Sequence, residues 1–210
     1  MVNEKTNQAL DKLAKISSII FHPLFIPLYG MIIIFSAPTL FGYLPFTVKK
    51  LLLLIVLINN IMLPLSLLPF FRHKNLISSW TLDNRKERNI PLVISAILYS
   101  ITSFIMFRLP VPIFLKSFIL SVCLISIIIM LINLWWKISL HSVGVGLLTS
   151  LVIILAFKMY TPLLWYIILV IITGGLVLSS RLRLNAHDPL QVWFGFLIGF
   201  AGLAVFMTIF

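Results

Sequence analysis

The chain is 210 residues long, 61% hydrophobic and 10% charged, with a mean hydropathy of +1.15 and a formal net charge of +11. So apolar a composition excludes an ordinary soluble domain and makes the bilayer the solvent. The basic excess, often a sign of nucleic acid, falls in short segments between apolar runs, so it is read as meeting lipid phosphate, with membrane lipids around it and no nucleic-acid partner.

Met1 to Lys15 is polar and mixed in charge, and the apolar run that follows from Ile16 is too long for a signal peptide and lacks a small-residue cleavage site. The segment is therefore read as mature protein, a polar stretch at 1–15 ahead of a single membrane domain at 16–210. Apolar runs occupy about Ile16 to Leu40, Lys50 to Phe71, Pro91 to Phe107, Pro112 to Asn133, Ser142 to Phe157, Pro162 to Leu178 and Pro189 to Phe210. A hydrocarbon core of roughly 30 Å needs about 20 residues per helical crossing, and helices satisfy their own backbone polar groups in lipid. The fold class expected is thus an all-α polytopic membrane helical bundle with about six or seven transmembrane helices. Pro23, Pro27 and Pro64 lie inside the first two runs, where proline kinks a helix or marks a re-entrant segment, and they leave the count open. Cys123, the single cysteine, sits in an apolar run and offers neither an intrachain disulfide nor a thiolate metal cluster.

Three polar islands interrupt this background: Arg72 to Ile90, Trp135 to His141, and Ser179 to Asp188. The chain crosses twice between successive islands, so all three are expected at one membrane face. Each precedes an apolar run with a candidate cap, namely Asn89, Ser139 and Asp188. Helix amino termini carry unpaired N–H groups and the positive end of the macrodipole, which suits an anion, and the neighbouring arginines point to phosphate. Trp135, Trp136, Trp165 and Trp193 fall near expected helix ends, as an interfacial belt does. Arg72, Lys74 and Arg183 read as topology signals or anchors, and His22 and His73 as structural or interfacial residues.

The third island carries Ser180-Arg181, five residues, His187, three residues and Gln191; the second carries Lys137, Ser139 and His141; the first carries Arg85, Lys86 and Arg88 ahead of Pro91. In order and separation these resemble the type 2 phosphatidic-acid phosphatase superfamily, whose pattern is K-x-x-x-x-x-x-R-P, then P-S-G-H, then S-R-x-x-x-x-x-H-x-x-x-D. The resemblance covers about residues 83–199. Gln191 stands where the family has its acid, position 81 is Thr in place of Lys, and Pro91 follows Arg88 at three residues instead of one.

The resemblance implies a membrane lipid phosphatase that hydrolyses or transfers a phosphate of a lipid phosphate or diphosphate, without metal or other cofactor, through a phosphohistidine. His187 would be the nucleophile and His141 the general acid, roles that imidazole fills near neutral pH. Arg88 and Arg181 would clamp phosphate oxygens, with Ser139, Lys137 and Arg85 as further phosphate-binding candidates. Gln191 would orient His187 through its carbonyl oxygen, or Asp188 would substitute for the missing acid; the pair also forms a D-x-x-Q capping box, which by itself accounts for both residues. A nonenzymatic lipid or anion carrier is the alternative of another class, and a b-type haem protein ligated by His141 and His187 a third. The location implied is a bacterial inner membrane, multi-pass. The charge count leaves the side of the motif face undetermined, because many of its cations belong to the islands themselves.

Overall fold

The computed structural model describes residues 2–78 and 84–209, with side chains from Thr6 onward. Positions 79–83, which include Thr81 and Asp83, lie outside the described residues. Every regular element among those described is helical, and the chain is a multi-pass integral membrane bundle.

Helix α1 (Val2–Ile20) takes in both the polar amino-terminal segment and the start of the first apolar run, so one helix runs through the boundary expected near residue 16. Asp11 and Asn7 both receive Arg183, the former in an ion pair of 2.7 Å. Arg183, read as a topology anchor, thus fastens α1 to the helix that carries it. A turn at Pro23–Phe25 leads into α2 (Ile26–Ser36), bent by 40° from α1. Pro23 and Pro27 sit in the opening turns of their elements, where the missing N–H would have had no partner in any case. They open new helical segments at the 40° break in the first apolar run, the kind of interruption expected of prolines there.

Helix α3 (Phe46–Leu57) passes through a π turn (Ile58–Met62) into α4 (Leu63–His73), and the three form one continuous span. Pro64 explains the π turn: it cannot donate to the carbonyl four residues earlier, that of Asn60, and the ladder shifts register around it. Within that turn the buried Asn60 accepts a 2.7 Å hydrogen bond from Thr102 Oγ1 of α5 (Asn89–Arg108). Helices α6 (Ile113–Asn133), α7 (Leu140–Lys158), α8 (Leu164–Arg183) and α9 (Pro189–Ile209) complete the bundle. Six helices are long and apolar enough to span, and the bent α1–α2 pair brings the number to seven if it is counted as one crossing.

Helix α7 is the hub. Its span is 72% buried, against 50% or less for every other. Glycines let α9 lie against it backbone to backbone: a Cβ at Gly199 would stand 2.0 Å from Val143 O, and one at Gly146 2.2 Å from Phe196 O. Close approach through small residues is the usual way to hold helices together in lipid, where apolar burial alone gives no preference. Many large aliphatic and aromatic side chains are exposed, among them Ile97, Phe104, Leu169, Ile172 and Leu197, as a lipid-facing exterior requires.

Candidate active site

The three polar islands meet at one end of the bundle. Lys137 Nζ donates to Ala186 O at 3.1 Å, and Arg88 donates to Ile138 O at 3.4 Å. Two-crossing parity between islands is therefore what the chain does.

How His187 reaches this point follows from the end of α8. Asn185 adopts a left-handed φ of 48°, Asn185 N–H bonds Leu182 O at 3.0 Å, and Ala186 N–H bonds Arg181 O at 3.2 Å. That is a Schellman closure, which asparagine tolerates better than most residues, and it folds the chain back so that Arg181 and His187 share one cavity. His187 is only 8% exposed.

A chain of hydrogen bonds decides the His187 tautomer. Gln191 Nε2–H donates to Asp188 Oδ2 at 3.2 Å, which leaves Gln191 Oε1 as the acceptor facing His187 Nδ1 at 2.8 Å. Nδ1 therefore carries the proton in the neutral ring, and Nε2 keeps its lone pair. The two residues read as a D-x-x-Q capping box pair through their side chains, and Gln191 transmits the Asp188 carboxylate to the histidine. Burial pushes the His187 imidazole down to about 4, helped by the charges of Arg88, Arg181 and Lys137 and opposed by the Gln191 hydrogen bond. The ring is uncharged at neutral pH, as a nucleophile or base must be.

On α7, His141 occupies the first turn and Ser139 the cap position. His141 Nε2 lies 3.0 Å from Ser18 O. A carbonyl only accepts, so the neutral ring has its proton on Nε2 and its lone pair on Nδ1. Ser18 also receives Arg181 through its hydroxyl at 3.1 Å. One residue of α1 thus touches both the second and the third island.

These side chains line a cavity of about 930 Å³. Its polar end holds Arg88, Lys137, His141, Arg181 and His187, and it continues between the helices along Phe71, Leu92, Ile94, Tyr99, Val122, Ile125 and Leu147. Tyr99 is ten residues below Asn89 on α5, about 15 Å at 1.5 Å per residue. That depth is half of a hydrocarbon core of roughly 30 Å. Among the described residues the cavity wall includes four basic side chains, Lys15, Arg88, Lys137 and Arg181, and no carboxylate.

Three candidates stand elsewhere. Ser139 is fully buried, and its hydroxyl accepts from Ser142 N at 3.4 Å and Ser142 Oγ at 2.8 Å, so it caps α7 and does not line the cavity. Arg85 donates to Asn133 O at 3.1 Å and to Leu134 O, closing the end of α6. Gln191 lies behind His187 and reaches the cavity only through it. Asn89 is the first residue of α5 and not its cap, since a 3-10 turn at Lys86–Arg88 precedes it. Its side chain accepts instead from Asn133 Nδ2 at 2.8 Å.

Lys15, Ser18, His22 and Asn185 line the cavity without having been expected there. His22 read as structural because no spacing ties it to the islands; the packing of α1 on α8 brings it in. Comparison with family models, curated proteins and solved structures gave no match to this chain.

Proposed function

We propose that this protein is a membrane lipid phosphatase resembling the type 2 phosphatidic-acid phosphatases, acting on a lipid phosphate or diphosphate at a bilayer surface, in a bacterial inner membrane. The observation that carries the reading is the amphiphilic cavity: two histidines and a cluster of cations at one end, and an apolar slot leading half-way through the membrane. A water-soluble phosphate has no use for such a slot. A lipid phosphate fills both parts, with the start of its tail inside the bundle instead of wholly in lipid.

In the proposed reaction the His187 Nε2 lone pair attacks phosphorus, an N–P bond forms and the P–O bond to the lipid breaks. His141 Nδ1, which holds the lone pair of the neutral ring, takes the proton of the bound monoanionic phosphate group and hands it to the departing oxygen. Water then attacks phosphorus, His141 Nδ1 takes the water proton, and the N–P bond breaks to release phosphate. Splitting hydrolysis into two transfers replaces one high barrier with two lower ones, and general acid catalysis contributes typically 10²- to 10⁴-fold. Arg88, Arg181 and Lys137 stabilise charge on the nonbridging oxygens from fixed positions, so little reorganisation is needed as it develops. Gln191 holds His187 Nδ1–H, and Asp188 supports it with a full charge at one remove.

The test is phosphate release from a panel of lipid phosphates by the purified protein in detergent with chelator present, comparing wild type with His187→Ala and His141→Ala. Release that chelator leaves intact and both substitutions abolish supports the reading. Tight phosphate binding without release would make the protein a carrier, and a Soret band in the purified protein would make it a haem protein.

A further inference from the structure

We propose that the amino-terminal helix completes the phosphate site, with His22 as a ligand that donates its Nε2–H to a substrate phosphate oxygen beside His141. The inference rests on the lipid-phosphate reading of the cavity and adds to it a residue that the motif islands do not contain.

His22 stands at the break between α1 and α2, held by the Pro23-led turn. Its Nδ1 accepts from Leu24 N–H at 3.4 Å. An N–H can only be met by a lone pair, so the neutral His22 ring carries its proton on Nε2. No described protein group accepts from that nitrogen. The ring lies edge-on to His141, with centroids 5.7 Å apart and planes at 85°, and it is exposed to the cavity it lines. An N–H donor on the wall of a basic pocket that has no described carboxylate, beside another imidazole, suits an anion.

The position of the ring is not an accident of a loose terminus. Three separate fastenings hold α1 to the islands: His141 to the Ser18 carbonyl, Arg181 to the Ser18 hydroxyl, and Arg183 to Asp11. Ser18 and His22 are four residues apart, and the chain between them carries the helix to its end at Ile20. The contact that orients His141 therefore also places His22.

The experiment is phosphate binding by the full-length protein in detergent, with inorganic phosphate as probe, followed in ¹H–¹⁵N histidine spectra and by titration calorimetry. Phosphate is expected to move the His22 Nε2–H resonance. His22→Ala is expected to weaken phosphate binding about tenfold, the scale of one hydrogen bond to a charged group, while His22→Gln, which keeps an N–H donor, recovers most of it. A purely structural role for His22 would show no resonance shift and no rescue specific to a donor. Wild-type binding that Arg181→Met weakens and His22→Ala leaves unchanged overturns this proposal alone. Absence of any phosphate binding by wild type overturns it together with the reading beneath it.

Discussion

Replacing Gly199 by alanine tests the scaffold on which the site depends. The added Cβ would stand 2.0 Å from Val143 O and 2.8 Å from Val143 C, where ordinary contact begins at 3.4 Å. The offending atoms are backbone of α7, with no side chain free to rotate away, so α9 must withdraw by roughly the difference, about 1.4 Å. Overpacking of this kind costs about 1–3 kcal/mol. For a chain of this size that lowers the thermal midpoint by about 2–4 °C per kcal/mol, hence roughly 2–12 °C. His187 precedes α9 and His141 opens α7, so the same displacement separates the two histidines and turnover falls further than stability. The matched control is Gly175→Ala on α8, where nothing lies within 4 Å of the added atom, and where alanine is expected to gain up to about 1 kcal/mol from helix propensity. Thermal unfolding in detergent, monitored by circular dichroism and paired with phosphate release, reads both. A Gly199→Ala protein as stable and as active as wild type would refute the argument that backbone contact between α7 and α9 sets the site.

Gln191→Leu removes the acceptor for His187 Nδ1–H and is expected to lower kcat about tenfold or more with little change in KM, because it releases the tautomer without touching substrate; Gln191→Glu, which supplies the carboxylate at once, should raise the His187 pKa and recover turnover. His187 should remain neutral in a ¹⁵N titration down to near pH 4. Because its folded pKa lies below the unfolded value of about 6.5, the unfolded chain takes up the proton first: stability is level above about pH 6.5, declines as pH falls toward 4, and is level again below. A folded-state midpoint near 6.5 would contradict that burial. Asn185→Gly should leave thermal stability nearly unchanged at its φ of 48°, while Asn185→Val should cost about 1–2 kcal/mol, and equal midpoints for the two would rule out the left-handed closure of α8.

Much of this architecture was legible in the amino-acid order. Continuous apolar runs of about 20 residues point to helices, which satisfy their own backbone groups in lipid, and pairs of such runs between polar islands put Arg88, Lys137 and His187 at one end without further information. Local chemistry settled the cap at Ser139 as well. Other features belong to tertiary structure alone. Side-chain identity does not say whether Ser139 presents its hydroxyl to a ligand or to Ser142, or whether Arg85 meets a phosphate or the carbonyls that end α6. Those outcomes turn on which neighbour is nearer, and the neighbours come from helices far away in sequence. The same holds for His22, which no motif joins to the islands: only the packing of α1 against α8 carries it to His141, across more than a hundred residues of chain. Periodicity and composition act over one helix at a time, whereas a cavity is made by the faces of several, so the sequence by itself determined which end of the bundle is polar, and the three-dimensional packing decided which side chains face into it.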